Sequence, residues 1–311
     1  MNFSSTLSRL LLITLLAAFV RPGVSAAQSL SDGIFMNKKF LCVGAFYTHD
    51  AWDEYWEGTL LRSNGNIGTV STQNVMLGLN YGILDRLNVM VMAPYVWTEA
   101  SAGTLAPQKG IQDLTLGLKY NIFAFDAIGG RMSLQAAAGG SVPLTNYVAD
   151  YQPLAIGLQS KTLFGRGIVH YAAKNNLTFL LSGAYALRSN IEIDRQSYYT
   201  TEQIYSNKVE MPNTAQLAFR GGYYSYRWGA ELLAEHNMTL GGFDIRRQDM
   251  PFPSNNMDAT RIGAVAFYRM PFLGDLQLLG QVNQTIAGRN MGKSLSWTVG
   301  LTKFLDFNKK G

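Results

Sequence analysis

Few residues in this chain could do chemistry. Its three histidines are His49 in THDAWD (48–53), His170, and His236 in EHNM (235–238). A serine nucleophile needs a histidine base within hydrogen-bonding reach, and no serine stands at a suitable strand spacing from any of them. His49 and His236 read as rim histidines in polar segments, and a hydrolase is kept only as a third alternative. The stretch AGRNMGKS (287–294) has the look of a phosphate loop. Gly288 and Gly292 enclose three residues where that motif needs four, however, and no strand-to-helix setting follows.

Asp50, Asp53, Glu54 and Glu57 bring enough carboxylates together to interest a hard cation. Their spacing fits no fixed calcium loop, so they read as a solvated acidic loop carrying Trp52 and Trp56 at its rim. Cys42 is the only cysteine, which excludes an internal disulfide. It lies well past the N-terminal apolar run and reads as a buried thiol. No metal or cofactor is expected.

The elements that must hold these residues are strands. Hydrophobic residues are 47% of the chain and charged residues 15%, against about a quarter charged in a soluble domain. The N-terminus begins with Arg9, the run LLLITLLAAFV (10–20) and small residues at Val24 and Ala26, the pattern of a secretory signal spanning 1–26. That run is too short to span a bilayer as a helix, which takes about 20 residues. Losing Arg9 and Arg21 with the signal lowers the formal charge from +5 to +3, too small an imbalance to suggest a nucleic-acid partner.

From residue 39 the same unit returns. About ten residues of apolar alternation are followed by a turn and about ten more, as expected of strands that cross a hydrocarbon layer. Strands are expected near 39–48, 69–82, 87–97, 112–123, 131–142, 162–172, 177–188, 215–224, 228–237, 260–270, 275–284 and 295–307. Their connections alternate strictly between short and long. This predicts an all-β fold: a transmembrane up-and-down antiparallel barrel of about twelve strands, of outer-membrane type, with short periplasmic turns and long external loops. The expected divisions are a periplasmic N-terminal segment over 27–38, the barrel over 39–307 and a tail over 308–311. A soluble sandwich or lipid-binding barrel would not need the long and short alternation and would carry more outward charge.

In such a barrel the apolar file faces lipid and the other file faces the lumen. Parity sends Asp113, Lys119, Arg166, His170, Arg220, Glu231, Glu235, Arg261 and Arg269 inward. These are either pore lining or structural charge ladders. The third strand sends Met90, Met92, Pro94 and Val96 inward, an apolar strip that suits a hydrophobic passage or packing against an inward-folded segment. RIGAVAFYR (261–269) is apolar on both files and its facing stays open. Lys303 interrupts the apolar file of the last strand and is expected to reach the periplasmic interface.

The phrases LNYGILDRLNVMVMAPY, GIQDLTLGLKYNIF (110–123), GSVPLTN and PLAIGLQS resemble the family named for the MetA pathway of phenol degradation. The likeness covers roughly residues 70–190. It implies an outer-membrane channel or transporter in a Gram-negative cell that moves small molecules, hydrophobic or aromatic compounds among them, with lipid and solute as its partners. It supplies no binding motif to carry over. A structural or surface-adhesion barrel, whose value would lie in its long aromatic loops, is the main alternative.

Overall fold

The computed structural model describes residues 29–308, so the signal expected over 1–26 lies outside the described residues. Twelve long strands form the wall: β1 (Phe40–Trp52), β2 (Val70–Leu84), β3 (Leu87–Ala100), β4 (Asp113–Ala127), β5 (Gly130–Pro143), β6 (Thr162–Ala173), β7 (Leu177–Arg188), β8 (Asn213–Tyr224), β9 (Trp228–Leu240), β10 (Asp258–Met270), β11 (Leu276–Arg289) and β12 (Leu295–Asp306). Each pairs antiparallel with its neighbours, and β12 returns to β1 with Phe40 opposite Asp306 and Ala51 opposite Leu295. The sheet is therefore a closed, twelve-stranded antiparallel β-barrel without free edges. A short strand, Gln108–Ile111, adds to the outer end of β3.

Alternation along each strand decides the facing. Leu77, Leu116, Leu118, Leu181, Leu217, Leu232 and Leu301 are all exposed on the outside, while their chain neighbours turn inward. So much apolar exterior is a surface made for lipid. Aromatic side chains gather near both ends of the wall, as outer-membrane barrels require at the two interfaces. Toward the long-loop end, Tyr47 lies 5.3 Å from Trp297 and 6.1 Å from Trp97, between ring centroids. Toward the short-turn end, Tyr223 sits 5.0 Å from Trp228, and Phe123 is 6.1 Å from Phe125. Lys303 bends its ammonium to the carbonyl of Gly274 in the last short turn. Its stem thereby stays against the wall while its charge reaches the interface.

The facing of β10 is now plain. Val265, Phe267 and Arg269 are buried inside, whereas Ile262 and Tyr268 are exposed outside. The strand is apolar on both files because its inner file forms part of an apolar lumen wall.

The long connections are built rather than loose. Glu54–Glu57 pairs with Leu60–Ser63, and the connection after β7 rises as a ribbon in which Ile191 pairs with Val209. Ile191, Ile193, Val209, Met211, Ala149 and Phe252 pack into one buried cluster shared by three long connections. Asn290 ties further loops together from a buried position. Its carboxamide oxygen accepts from the amides of Gly58 (2.8 Å) and Ile245 (3.0 Å), and its nitrogen donates to Asp244 (2.6 Å) and the Asn256 carbonyl (2.7 Å).

The acidic loop of the sequence reading resolves into pairs. Glu54 meets Lys293 at 2.7 Å and Glu57 meets Arg62 at 2.7 Å. Asp50 belongs to β1 itself. Trp56, expected at the membrane rim, is buried close to Gly288.

Candidate functional site: the lumen

The segment expected in the periplasm departs from that reading, because residues 29–36 run inside the barrel. Lys119, on the inner file of β4, is fully buried and gathers the segment around its ammonium. It donates to Asp32 Oδ1 (2.8 Å) and to the backbone carbonyls of Asp32 (2.6 Å), Ile34 (3.0 Å) and Ser29 (3.3 Å). A buried ammonium is tolerated only when paired and hydrogen-bonded, and this one has both. Further ties come from Gln135, which donates to the Gly33 carbonyl at 3.0 Å, and from Arg220, which donates to the Ser31 hydroxyl at 3.1 Å.

Apolar contacts complete the anchoring. Leu30 packs with Met90 and Ala137, and it fits because Gly117 has no side chain: a Cβ there would come within 2.6 Å of Leu30. Gly33 lies against the ring of His170 in the same way, where no larger residue could sit. His170 thus serves as a packing surface for the segment. Asp113, nearer the outer end of β4, accepts a 2.5 Å hydrogen bond from Tyr147 of an external loop. Burial, followed by that carboxylate, pushes the Tyr147 phenol up from its ordinary value.

Beside the segment lies a cavity of about 300 Å³. Its apolar side carries Phe46, Met76, Met90 and Met92 from β1 to β3 and Val265, Phe267 and Leu279 from β10 and β11. The register sets these in rows across the wall, since Met76 faces Pro94 and Met92 faces Gly78. Its polar side carries Arg220 and Glu231, 3.8 Å apart, together with Tyr224. Higher on the same side, Arg166 donates to Gln216 (2.5 Å) and Ser182 (3.2 Å), and Arg261 meets Glu235 at 3.2 Å.

The titratable residues that parity sends inward lie on inner files, as do Met90 and Met92. Met90, Met92, Arg220 and Glu231 meet at the cavity. Lys119 and His170 hold the inserted segment, while Arg166 and Glu235 belong to the polar network above it. Parity reasoning did not find Phe46, Met76, Phe267 or the segment itself. The alternation of β1 and β2 could have supplied the first two, but nothing periodic marks SLSDGIF. His49 stacks on Trp297 at 5.7 Å, and His236 bonds Thr260 at 2.9 Å, both on the outer surface and away from the lumen.

No protein-family model and no curated protein matches the chain. Among solved structures, the chain is similar to the COG4313 outer membrane channel from Pseudomonas putida F1, with 15% identity over 89% of this chain and 100% of that one and a TM-score of 0.71. It also aligns with the NanC porin (8% identity, 82% and 98% covered, TM-score 0.46) and the CymD monoaromatic hydrocarbon channel (10% identity, 87% and 90% covered, TM-score 0.40). Only the first is near enough to speak to the fold. Together with the lipid-facing exterior, it makes this chain a β-barrel of the Gram-negative outer-membrane type.

Proposed function

We propose that the barrel is a passive outer-membrane channel for small molecules that combine an apolar body with a polar group. The observation that carries this reading is the two-sided cavity: methionine and phenylalanine line one side, and Arg220, Glu231 and Tyr224 the other. A porin for sugars or ions would have little use for an apolar wall, since water-filled lumens are polar all round. The volume falls at the lower end of the range for small-ligand cavities, about 300–1,000 Å³, which suits a single ring or a short chain. The resemblance of residues 70–190 to the family of the MetA phenol-degradation pathway agrees with an aromatic solute. Methionine supports such a solute physically, because its flexible, polarisable side chain adapts to flat rings.

Conductance in planar bilayers, combined with liposome swelling in neutral, charged and aromatic solutes, tests the proposal. Solute-dependent permeation above that of empty membranes is expected. A folded barrel that passes none of the panel would favour a structural or adhesive role, to which the packed external loops would then contribute.

A further inference from the structure

Four adjacent staves of the wall, β5 to β8 (130–143, 162–173, 177–188 and 213–224), contain no aspartate or glutamate at all. Three arginines lie on their inner files. Arg188 stands at the outer end of β7, on the same face as Ser182. Arg166 on β6 is opposite Ala184, which places it four residues deeper than Arg188 along β7. Arg220 on β8 is opposite Leu180, four deeper again. At about 3.3 Å per residue, the backbone positions of successive arginines are roughly 13 Å apart along the strand direction, from the outer mouth to the cavity. Among the described residues, neither Arg188 nor Arg166 makes an ion pair, and Arg166 is held by neutral partners only. The acids near this stripe are already engaged, Glu231 beside Arg220, Glu235 beside Arg261 and Asp32 of the inserted segment on Lys119.

In a twelve-stranded barrel the staves opposite β6 and β7 are β12 and β1, and the apolar wall is centred there, on β1 to β3 with β10 and β11. A solute descending this lumen would meet Arg188 and Arg166, which make no ion pair, and then Arg220, which shares Glu231, on one side and a greasy wall on the other. Phe164, an inner-file neighbour of Arg166, and Met92 of the apolar wall both pack against the cluster of Leu30, Met90 and Ala137.

We infer that the solute is an amphipathic organic anion, such as an aromatic or short aliphatic carboxylate, guided inward by Arg188, Arg166 and Arg220 in turn. This rests on the channel reading and narrows its substrate class. Guanidinium groups suit the task because their planar donors match a carboxylate, and several weak sites in series allow entry without trapping.

Equilibrium dialysis of the folded protein in amphipol, with benzoate, benzyl alcohol and benzyltrimethylammonium as ring-matched probes, tests the inference. Benzoate should bind best and the cation worst. In Arg166→Gln/Arg188→Gln, the benzoate to benzyl alcohol affinity ratio should fall about tenfold, the scale of one lost charge-assisted hydrogen bond. Arg166→Lys/Arg188→Lys should restore most of the preference, which separates charge from simple disruption. Equal binding of the three probes by the unaltered protein, or an unchanged ratio in the glutamine variant, overturns the inference. Dialysis does not require conduction. Selective benzoate binding by a barrel that conducts nothing would overturn the channel and leave the anion site standing, while a conducting barrel without preference would do the reverse.

Discussion

The ammonium of Lys119 sits 2.8 Å from the carboxylate of Asp32, with both side chains buried in the lumen although 87 positions separate them in sequence. This contact fixes the inserted segment to the wall, and removing one partner should release the segment without opening the barrel. Lys119→Met keeps the length of the side chain and deletes four hydrogen bonds. Breaking a buried pair from one side costs about 3–5 kcal/mol. Cys42, which lines the cavity together with Ser29 and Ser31, reports the result. Its labelling by a small thiol reagent should accelerate and single-channel conductance should rise. Unchanged labelling and conductance would show that the segment is held by other means.

Leu232 and Glu231 are adjacent in β9, yet their exposures are 70% and 8%. Leu232→Arg should cost about 2–4 kcal/mol of folded stability in bilayers, the penalty for a cation on the lipid face near the midplane. Glu231→Gln should fold normally and shift ion selectivity toward anions, because it removes a lumen carboxylate beside Arg220. Urea titrations in vesicles and reversal potentials in a salt gradient read the two effects. The opposite pattern would invert the facing of the wall.

The apolar side of the cavity yields a third expectation. Met92→Arg or Met90→Arg should slow a hydrophobic solute more than a small polar one of equal size, measured by liposome flux. Equal slowing of both would mean simple obstruction.

The external loops depend on Asn290, which is 1% exposed and makes four hydrogen bonds. Asn290→Ala should leave two amides and two acceptors without this partner, at about 1–3 kcal/mol for each group that stays buried. Trypsin should then cut sooner after Arg246 and Arg247, while the unboiled protein keeps its fast electrophoretic mobility. Acid should loosen the same loops. Hydrogen bonding from Arg289, then from Asn290, holds the Asp244 carboxyl below its usual range. Its contribution is present at neutral pH and lost as pH falls through that lowered value. Cleavage rates that ignore both the substitution and acid would refute the role given to Asn290.

The wall was legible in the sequence because each of its strands must satisfy two solvents at a period of two, and that demand shows locally. Leu114 to Ile122 and Trp297 to Leu305 announce their facing without any partner in view. The lumen was legible only in part. Inner-file residues such as Arg166 and Glu235 follow from parity, but which of them meet depends on register and curvature. β10 defeated parity because its inner file, with Val265 and Phe267, lines an apolar wall and so loses the contrast on which alternation relies. The inserted segment was invisible for another reason. Its conformation is set by Lys119, Gln135 and Arg220, three residues far along the chain, and SLSDGIF has no periodicity of its own. The loop cluster left one clue that could have been used, the alternation of Ile191 and Ile193 against Val209 and Met211.

The seam between β1 and β12 has a kinetic meaning. Phe40 and Asp306 are partners across it, so nearly the whole wall must be in place before the last row of backbone hydrogen bonds can form. Closing so long a loop is entropically late. Until it happens, β1 and β12 each present an unpaired edge open to any passing strand. The molecule's most vulnerable moment is therefore the interval just before closure, and whatever shields these two edges during assembly should bind them rather than the finished cylinder.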